Sequence, residues 1–178
     1  MGSTLTVDNI VGATTAANVK LPAGCVLQTL STTKSDTFST SSTGPIDVTG
    51  LSVTITPKYA TSKVLIMFDV SVIGYDAGIG LRLLRGSTAL ALGDAAGSRA
   101  RATAIGQYSN NTSPSAYSAT PTSMSFLDSP ATTSATTYKI QAQCLSTNGI
   151  VVNMTRYDTD NGNAVRGSST ITVMEIAQ

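Results

Sequence analysis

The stretch KVLIMFDVSVI, from Lys63 to Ile73, decides how this chain folds. Read with a period of two, it puts Val64, Ile66, Phe68, Val70 and Val72 on one face and Leu65, Met67, Asp69 and Ser71 on the other. That period belongs to a β-strand, whose successive side chains point to opposite sides of a sheet. The first face is wholly apolar, and the second begins apolar. We therefore expect a central strand covered twice, by a second sheet on one side and by another subunit or loop on the other. Leu65 and Met67 are the candidate residues of a trimer interface.

Strand patterns continue in both directions. Upstream, Leu51, Val53 and Ile55 alternate with Ser52, Thr54 and Thr56, a half-buried strand that Pro57 ends. CVLQTLST, from Cys25, is an earlier strand candidate, followed by the polar run Thr32 to Thr43 with Phe38 inside it. Downstream, Ile79, Leu81 and Leu83 keep the alternation, and Arg85, Gly86 and Ser87 turn the chain into TALAL. The small, polar middle holds one expected strand around Arg101 to Tyr108, then a long surface loop from Ser109 to Pro121. Met124 and Phe126 follow, then Tyr138, Ile140, Ala142 and Cys144 alternating with Lys139, Gln141 and Gln143. Ile150, Val152 and Met154 lead through the turn DTDNGN to SSTITVMEI, with Ile171 and Val173 inward. Short strands spaced by Gly, Asn and Ser turns predict an all-β sandwich of jelly-roll type. No fixed period repeats, which argues against a solenoid or propeller.

Composition narrows the function. A length of 178 residues fits one domain plus some extra chain. Lys and Arg number 11 against 10 acids, a net charge of +1, so no overall field favours nucleic acid or an anionic membrane. Charged residues are only 12%, while Ser and Thr supply about fifty positions and hydrophobic residues 41%, enough for a core. Histidine is absent, which removes imidazole bases, His-based triads and His metal ligands. With no Trp and 5% aromatics, a stacking platform for single strands or sugars is disfavoured. The longest apolar runs fall far short of a membrane-spanning helix, and Met1 to Gly12 lacks the basic-then-apolar pattern of a secretory leader. Two cysteines, Cys25 and Cys144, are too few for a disulfide framework, and reduced thiols are expected. We assign no catalytic residue, metal ligand or cofactor, and expect neither nucleic-acid binding nor membrane insertion.

The first 24 residues differ from the rest. Leu5, Val7, Ile10, Val11, Val19 and Leu21 stand apart among small polar residues, too sparse to build a core, and Pro22 and Gly24 break the chain after them. The expected organisation is an extended N-terminal docking arm over 1–24, a connector with the first strands over 25–50, and a β-sandwich knob over 51–178.

Three segments carry candidate chemistry. Asp158, Asp160 and Asn161 resemble a calcium loop, but Gly162 and Ser169 stand where that loop's spacing fails, and Asn161-Gly162 is a strong turn signal. Arg82, Arg85, Arg99 and Arg101 cluster within twenty residues. They read either as a patch for an anionic sugar or, the favoured reading, as strand ends pairing with Asp76 or Asp94. Gln107 to Pro121, the longest segment without a strand pattern, is the candidate receptor loop through Tyr108, Asn110, Asn111 and Tyr117. The glycosylation tripeptides at Asn110 and Asn153 are read as chance in a Thr-rich chain, and no nucleophile elbow or phosphate loop is present.

Two stretches carry a family resemblance. TLTVDNIVGATTAANVKLPAGCVLQ resembles a short leader found ahead of β-rich modules in tail-fibre and other appendage proteins of tailed bacteriophages. From Leu51 onward, LSVTITPKYATSKVLIMFDVSV, YKIQAQC, IVVNMT and SSTITVMEI resemble their C-terminal knob modules. The resemblance implies a jelly-roll head that forms a homotrimer, similar to tumour-necrosis-factor and complement-type heads, with receptor contacts on distal loops. It also implies a structural virion protein, assembled in the host cytoplasm and exposed on the particle surface. Its partners would be other virion proteins through residues 1–24 and a glycan or protein on the host. A capsid decoration, cement or head-fibre protein is the alternative. A polysaccharide-cleaving tailspike is disfavoured, because it needs two facing carboxylates and the 10 acids lie mostly isolated in turns.

Overall fold

The computed structural model describes Gly2 and residues 21–75, 78–109 and 119–178. These residues form strands β1 (Val26–Lys34), β2 (Phe38–Thr40), β3 (Ile46–Ile55), β4 (Lys63–Tyr75), β5 (Ile79–Arg85) and β6 (Thr88–Leu90). Strands β7 (Ala104–Ser109), β8 (Thr120–Asp128), β9 (Thr136–Cys144), β10 (Ile150–Val152) and β11 (Ser169–Ile176) complete the set. The architecture is all-β, and no helix occurs among the described residues.

The strands make two facing sheets. In the first, β1, β11, β4 and β8 run antiparallel in that spatial order. In the second, β3, β9, β5 and β6 do the same. β4 has 13 residues, long enough to take two partners on each edge. β11 and then β10 pair along one edge, β8 and then β7 along the other, while β2 extends the sheet beyond β10. The alternation in KVLIMFDVSVI is realised: Val64, Ile66, Val70 and Val72 are fully buried, while Leu65, Met67, Asp69 and Ser71 are half-buried. Facing them across the core are Leu51 and Ile55 of β3, Leu81 and Leu83 of β5, and Tyr138, Ile140 and Cys144 of β9.

β7 closes one side of the sandwich. Ala104, Ile105 and Gly106 pair antiparallel with β5, and Gln107 to Ser109 then pair parallel with β4. Gly106 sits at the crossing, where a Cβ would lie 3.1 Å from Val72 and 3.3 Å from Ile79. Only a residue without a side chain lets the strand pass that close to both sheets.

The division at 50/51 falls inside β3, and within 25–50 the first strand, β1, pairs with β11 from Val26 to Lys34. Gly24 N–H donates to Ala177 O at 2.8 Å and Ala177 N–H to Cys25 O at 2.9 Å, extending that ladder toward the arm. The Ser and Thr content of β1 hid its membership, because an edge strand's outward positions face water and need no apolar side chain. The expected surface loop shortens as well, because β7 runs to Ser109 and β8 already begins at Thr120.

Candidate contact surfaces

The outer face of the first sheet is assembled from residues that pair directly across strands and so share a side. Leu65 of β4 pairs with Met174 of β11 and with Leu127 of β8, making one apolar row. Ile176 pairs with Lys63 and Val26, adding two more apolar side chains at the end of that row. Met67 lies in the next row with Thr172 and Ser125, and borders a shallow hollow completed by Ser123 and Met124. Beyond it the face turns polar: Ser123 Oγ donates to Asp69 Oδ2 at 2.6 Å, and Ser31 and Thr172 hydroxyls meet at 2.8 Å. Leu127 and Val26 are about half exposed, at 47% and 49%. The structure therefore brings Leu65 and Met67 together in one partly uncovered apolar patch.

The outer face of the second sheet is polar. Lys139 Nζ and Gln141 Nε2 both donate to Asp47, each at 2.7 Å, and Thr54 and Thr137 hydroxyls meet at 2.8 Å. Those two donors hold the Asp47 carboxyl below its ordinary range. Arg82 points outward beside Gln141. Its Nε donates to Arg101 O at 2.9 Å, and Arg101 Nε donates to Gly93 O at 2.7 Å. Among the described residues, Arg85 alone of the four clustered arginines finds a carboxylate, Asp128, whose oxygens lie 2.9 and 2.7 Å from its Nη1. The expected partner Asp76 lies outside the described residues, and Asp94 forms no ion pair with Arg82, Arg99 or Arg101.

Buried polar groups tie the sandwich together, and the sequence reading passed over them. Glu175, the chain's one glutamate, is fully buried at the end of β11. Its Oε1 accepts the backbone N–H of Lys58 at 2.7 Å and of Tyr59 at 3.3 Å, and its Oε2 accepts Gln28 Nε2 at 2.6 Å. Burial pushes this carboxyl up, but the hydrogen bonds outweigh it and hold the group below its ordinary value. At the end of β8, buried Asp128 accepts Tyr138 OH at 2.7 Å as well as Arg85. Burial, then the bond to Asp128, drives the Tyr138 hydroxyl far above the usual phenol range. Asn153, buried with φ +62°, donates to the carbonyls of Lys34 at 2.8 Å and Asp36 at 3.0 Å and accepts Ser169 Oγ at 2.6 Å. The period-two pattern could have found two of these, since Glu175 shares a face with Ile171 and Val173, and Asp128 with Met124 and Phe126. Asn153 is marked in the sequence only by its glycosylation tripeptide, which gives no sign of burial.

The remaining expected sites are placed as follows. The 158–163 segment is a turn: Asn161 Oδ1 accepts Asn163 N–H at 2.8 Å, and Asp158 is held by Arg166 at 3.0 and 2.6 Å, which lowers its carboxyl's pKa. No three His, Cys, Asp or Glu side chains converge for a metal among the described residues. Leu21 is exposed, while Leu5, Val7, Ile10, Val11 and Val19 lie outside the described residues. Tyr108 pairs through its backbone with Gly74, and its side chain, with Asn110, Asn111 and Tyr117, lies outside them too. No helix among the described residues is long and apolar enough to cross a membrane. No protein-family model matches the chain, and no curated protein matches it significantly.

Proposed function

We propose that this chain is a structural virion protein of a tailed bacteriophage: a short trimeric tail fibre with no enzymatic role. In this reading residues 1–24 dock to the particle and the knob contributes to host attachment. The observation that carries it is the contrast between the two outer faces. The second sheet presents Lys139, Gln141, Asp47 and Thr137 to water, whereas the first presents Leu65, Met67, Leu127, Met174 and Ile176. Such a patch on one side of a small sandwich is suited to a subunit contact. Ile105, 81% exposed on β7, offers an apolar knob from a different strand, which suits a head-to-tail contact that closes into a ring. The jelly-roll reading is supported by the pairing orders β1-β11-β4-β8 and β3-β9-β5-β6, in which, taking these eight strands in chain order, the chain crosses between sheets at each step except the β5–β6 hairpin. The resemblance of the sequence to fibre leaders and knobs supplies the biological setting.

Mass photometry at micromolar concentration should return three copies, and a stable monomer would overturn the assembly. A chain beginning at Leu21 should remain folded and trimeric yet fail to incorporate into particles. Imaging of labelled particles should place the protein at the tail. Label spread over the shell would overturn the fibre assignment in favour of capsid decoration.

A further inference from the structure

Among the described residues, Arg82, Arg99 and Arg101 pair with no carboxylate. They belong to β5 and to the segment joining β6 to β7, on the side of the molecule away from the apolar patch. Their hydrogen bonds are unusual in kind. Arg82 and Arg101 each spend Nε on a backbone carbonyl, Arg101 O and Gly93 O, and Arg99 Nη1 reaches Ala96 O at 3.3 Å. This fixes the first two guanidinium planes, and among the described residues the Nη groups of each have no hydrogen-bond partner.

The support beneath them is firm. Gly93 N–H donates to Ala102 O at 3.0 Å, and Thr103 N–H donates to Leu81 O at 2.7 Å. Thr103 Oγ1 donates to Leu90 O at 2.8 Å and accepts Leu83 N–H at 2.9 Å. The segment carrying Arg101 is therefore stitched to β5 and to the end of β6. Beside Arg82 on the same face lie Gln141, whose amide nitrogen is held by Asp47, and flat Gly80. Asp47, a carboxylate on this face, is already engaged by Lys139 and Gln141, and Asp94, which follows Gly93, forms no ion pair with Arg82, Arg99 or Arg101.

We propose that Arg82 and Arg101 form a binding site for oxyanion groups, carboxylate or sulfate, carried on a sugar polymer. A guanidinium anchored at Nε still offers its paired Nη donors end-on to two oxygens of such a group. The carbonyl oxygen of Gln141 is placed to accept a sugar hydroxyl. A sugar polymer fits better than nucleic acid because the described residues of the patch include no aromatic side chain for base stacking and the chain carries almost no net charge. The assignment goes beyond the fibre reading and does not depend on it, because it is tested on the isolated full-length protein.

Titration with dextran sulfate and with polygalacturonate should show saturable binding that weakens with salt, and none with neutral dextran. Arg82→Gln and Arg101→Gln should each weaken that binding by about tenfold or more, the loss of one charge-assisted fork. Both variants should melt where the parent does. Arg101→Lys, which keeps the charge and loses the fork, should also bind more weakly than the parent. Lys58→Gln, an equal change of net charge elsewhere, should bind as the parent does. Equal loss with Lys58→Gln would mean that net charge alone is sensed and would overturn the site. Absence of binding to either polyanion, or equally tight binding to a single-stranded polynucleotide, would overturn it as well. If Arg101→Gln lowers the melting temperature by releasing Gly93 O, Arg82→Gln decides, because it leaves the Arg101–Gly93 bond and the Thr103–Leu81 bond in place.

Discussion

Glu175 shows what one residue contributes when it is the only one of its kind. Its two oxygens gather a strand β1 side chain and two backbone N–H groups of the β3–β4 connection, so one carboxylate ties both segments to β11. In Glu175→Gln one oxygen remains for Lys58 and Tyr59, but the new amide faces Gln28 Nε2, donor against donor. Gln28 cannot simply flip, because the same nitrogen also donates to Thr56 O at 2.8 Å. We expect a loss of about 2 kcal/mol, in the range for a hydrogen bond to a charged group with a donor left unmet. Chemical denaturation reads it directly, and an unchanged midpoint would refute it. Asp128 gives a second, graded case. Asp128→Ala leaves Tyr138 OH buried without an acceptor and Arg85 without its counter-charge, and should cost roughly 3–5 kcal/mol. Tyr138→Phe removes one donor from a carboxylate that Arg85 still satisfies, and should cost only about 1 kcal/mol. If the two variants were equally destabilised, the aromatic ring's packing rather than the polar cluster would be the source.

At the scale of elements, β4 organises the molecule, and its outer face is where packing and assembly meet. Met67→Lys should leave the inner face of β4 untouched, since Phe68 and Ile66 point the other way. On a free surface the lysine would be harmless, whereas in an interface an unpaired charge costs several kcal/mol. The expected result is therefore a folded chain with native far-ultraviolet dichroism that sediments as a monomer. A trimer that survives Met67→Lys would remove this face from the interface. β4, β5, β9 and β11 were legible because each has one buried face, and the alternation of apolar with polar residues records it. β1 was only half legible. Its outward Thr29, Ser31 and Thr33 look like loop residues, although each pairs with a residue of β11. The polar clasps stayed hidden for a related reason: Asn153 acts through carbonyls of Lys34 and Asp36, partners 119 and 117 residues away that no local pattern can indicate. The arginines were visible as a cluster, but only the fold separates Arg85, which is paired, from Arg82 and Arg101, which are not.

For the whole molecule, the titration behaviour follows from what the chain lacks. With no histidine, no side chain of ordinary pKa changes charge between about pH 5 and pH 8, so stability should be nearly flat across that range. Below it the carboxylates decide. Glu175, Asp36, Asp47 and Asp158 are all held below their ordinary values, so the folded state binds protons less readily than the unfolded chain does. Their stabilisation is complete above the ordinary value, 4.5 for Glu175, and is lost as pH falls through that value toward the folded one. The four differ in environment. Asp36, Asp47 and Asp158 are partnered by Lys34, Lys139 and Arg166 near water, where salt screens them. Glu175 is enclosed, and its partners are neutral N–H groups that salt does not screen. Melting temperature measured from about pH 3 to pH 8 should therefore show a plateau and then an acid limb that persists in high salt. Glu175→Gln should lower the plateau and flatten that limb, bringing parent and variant together at the acid end. An acid limb that vanishes with added salt, or one identical in the variant, would move the acid sensitivity to the surface pairs and away from the buried glutamate.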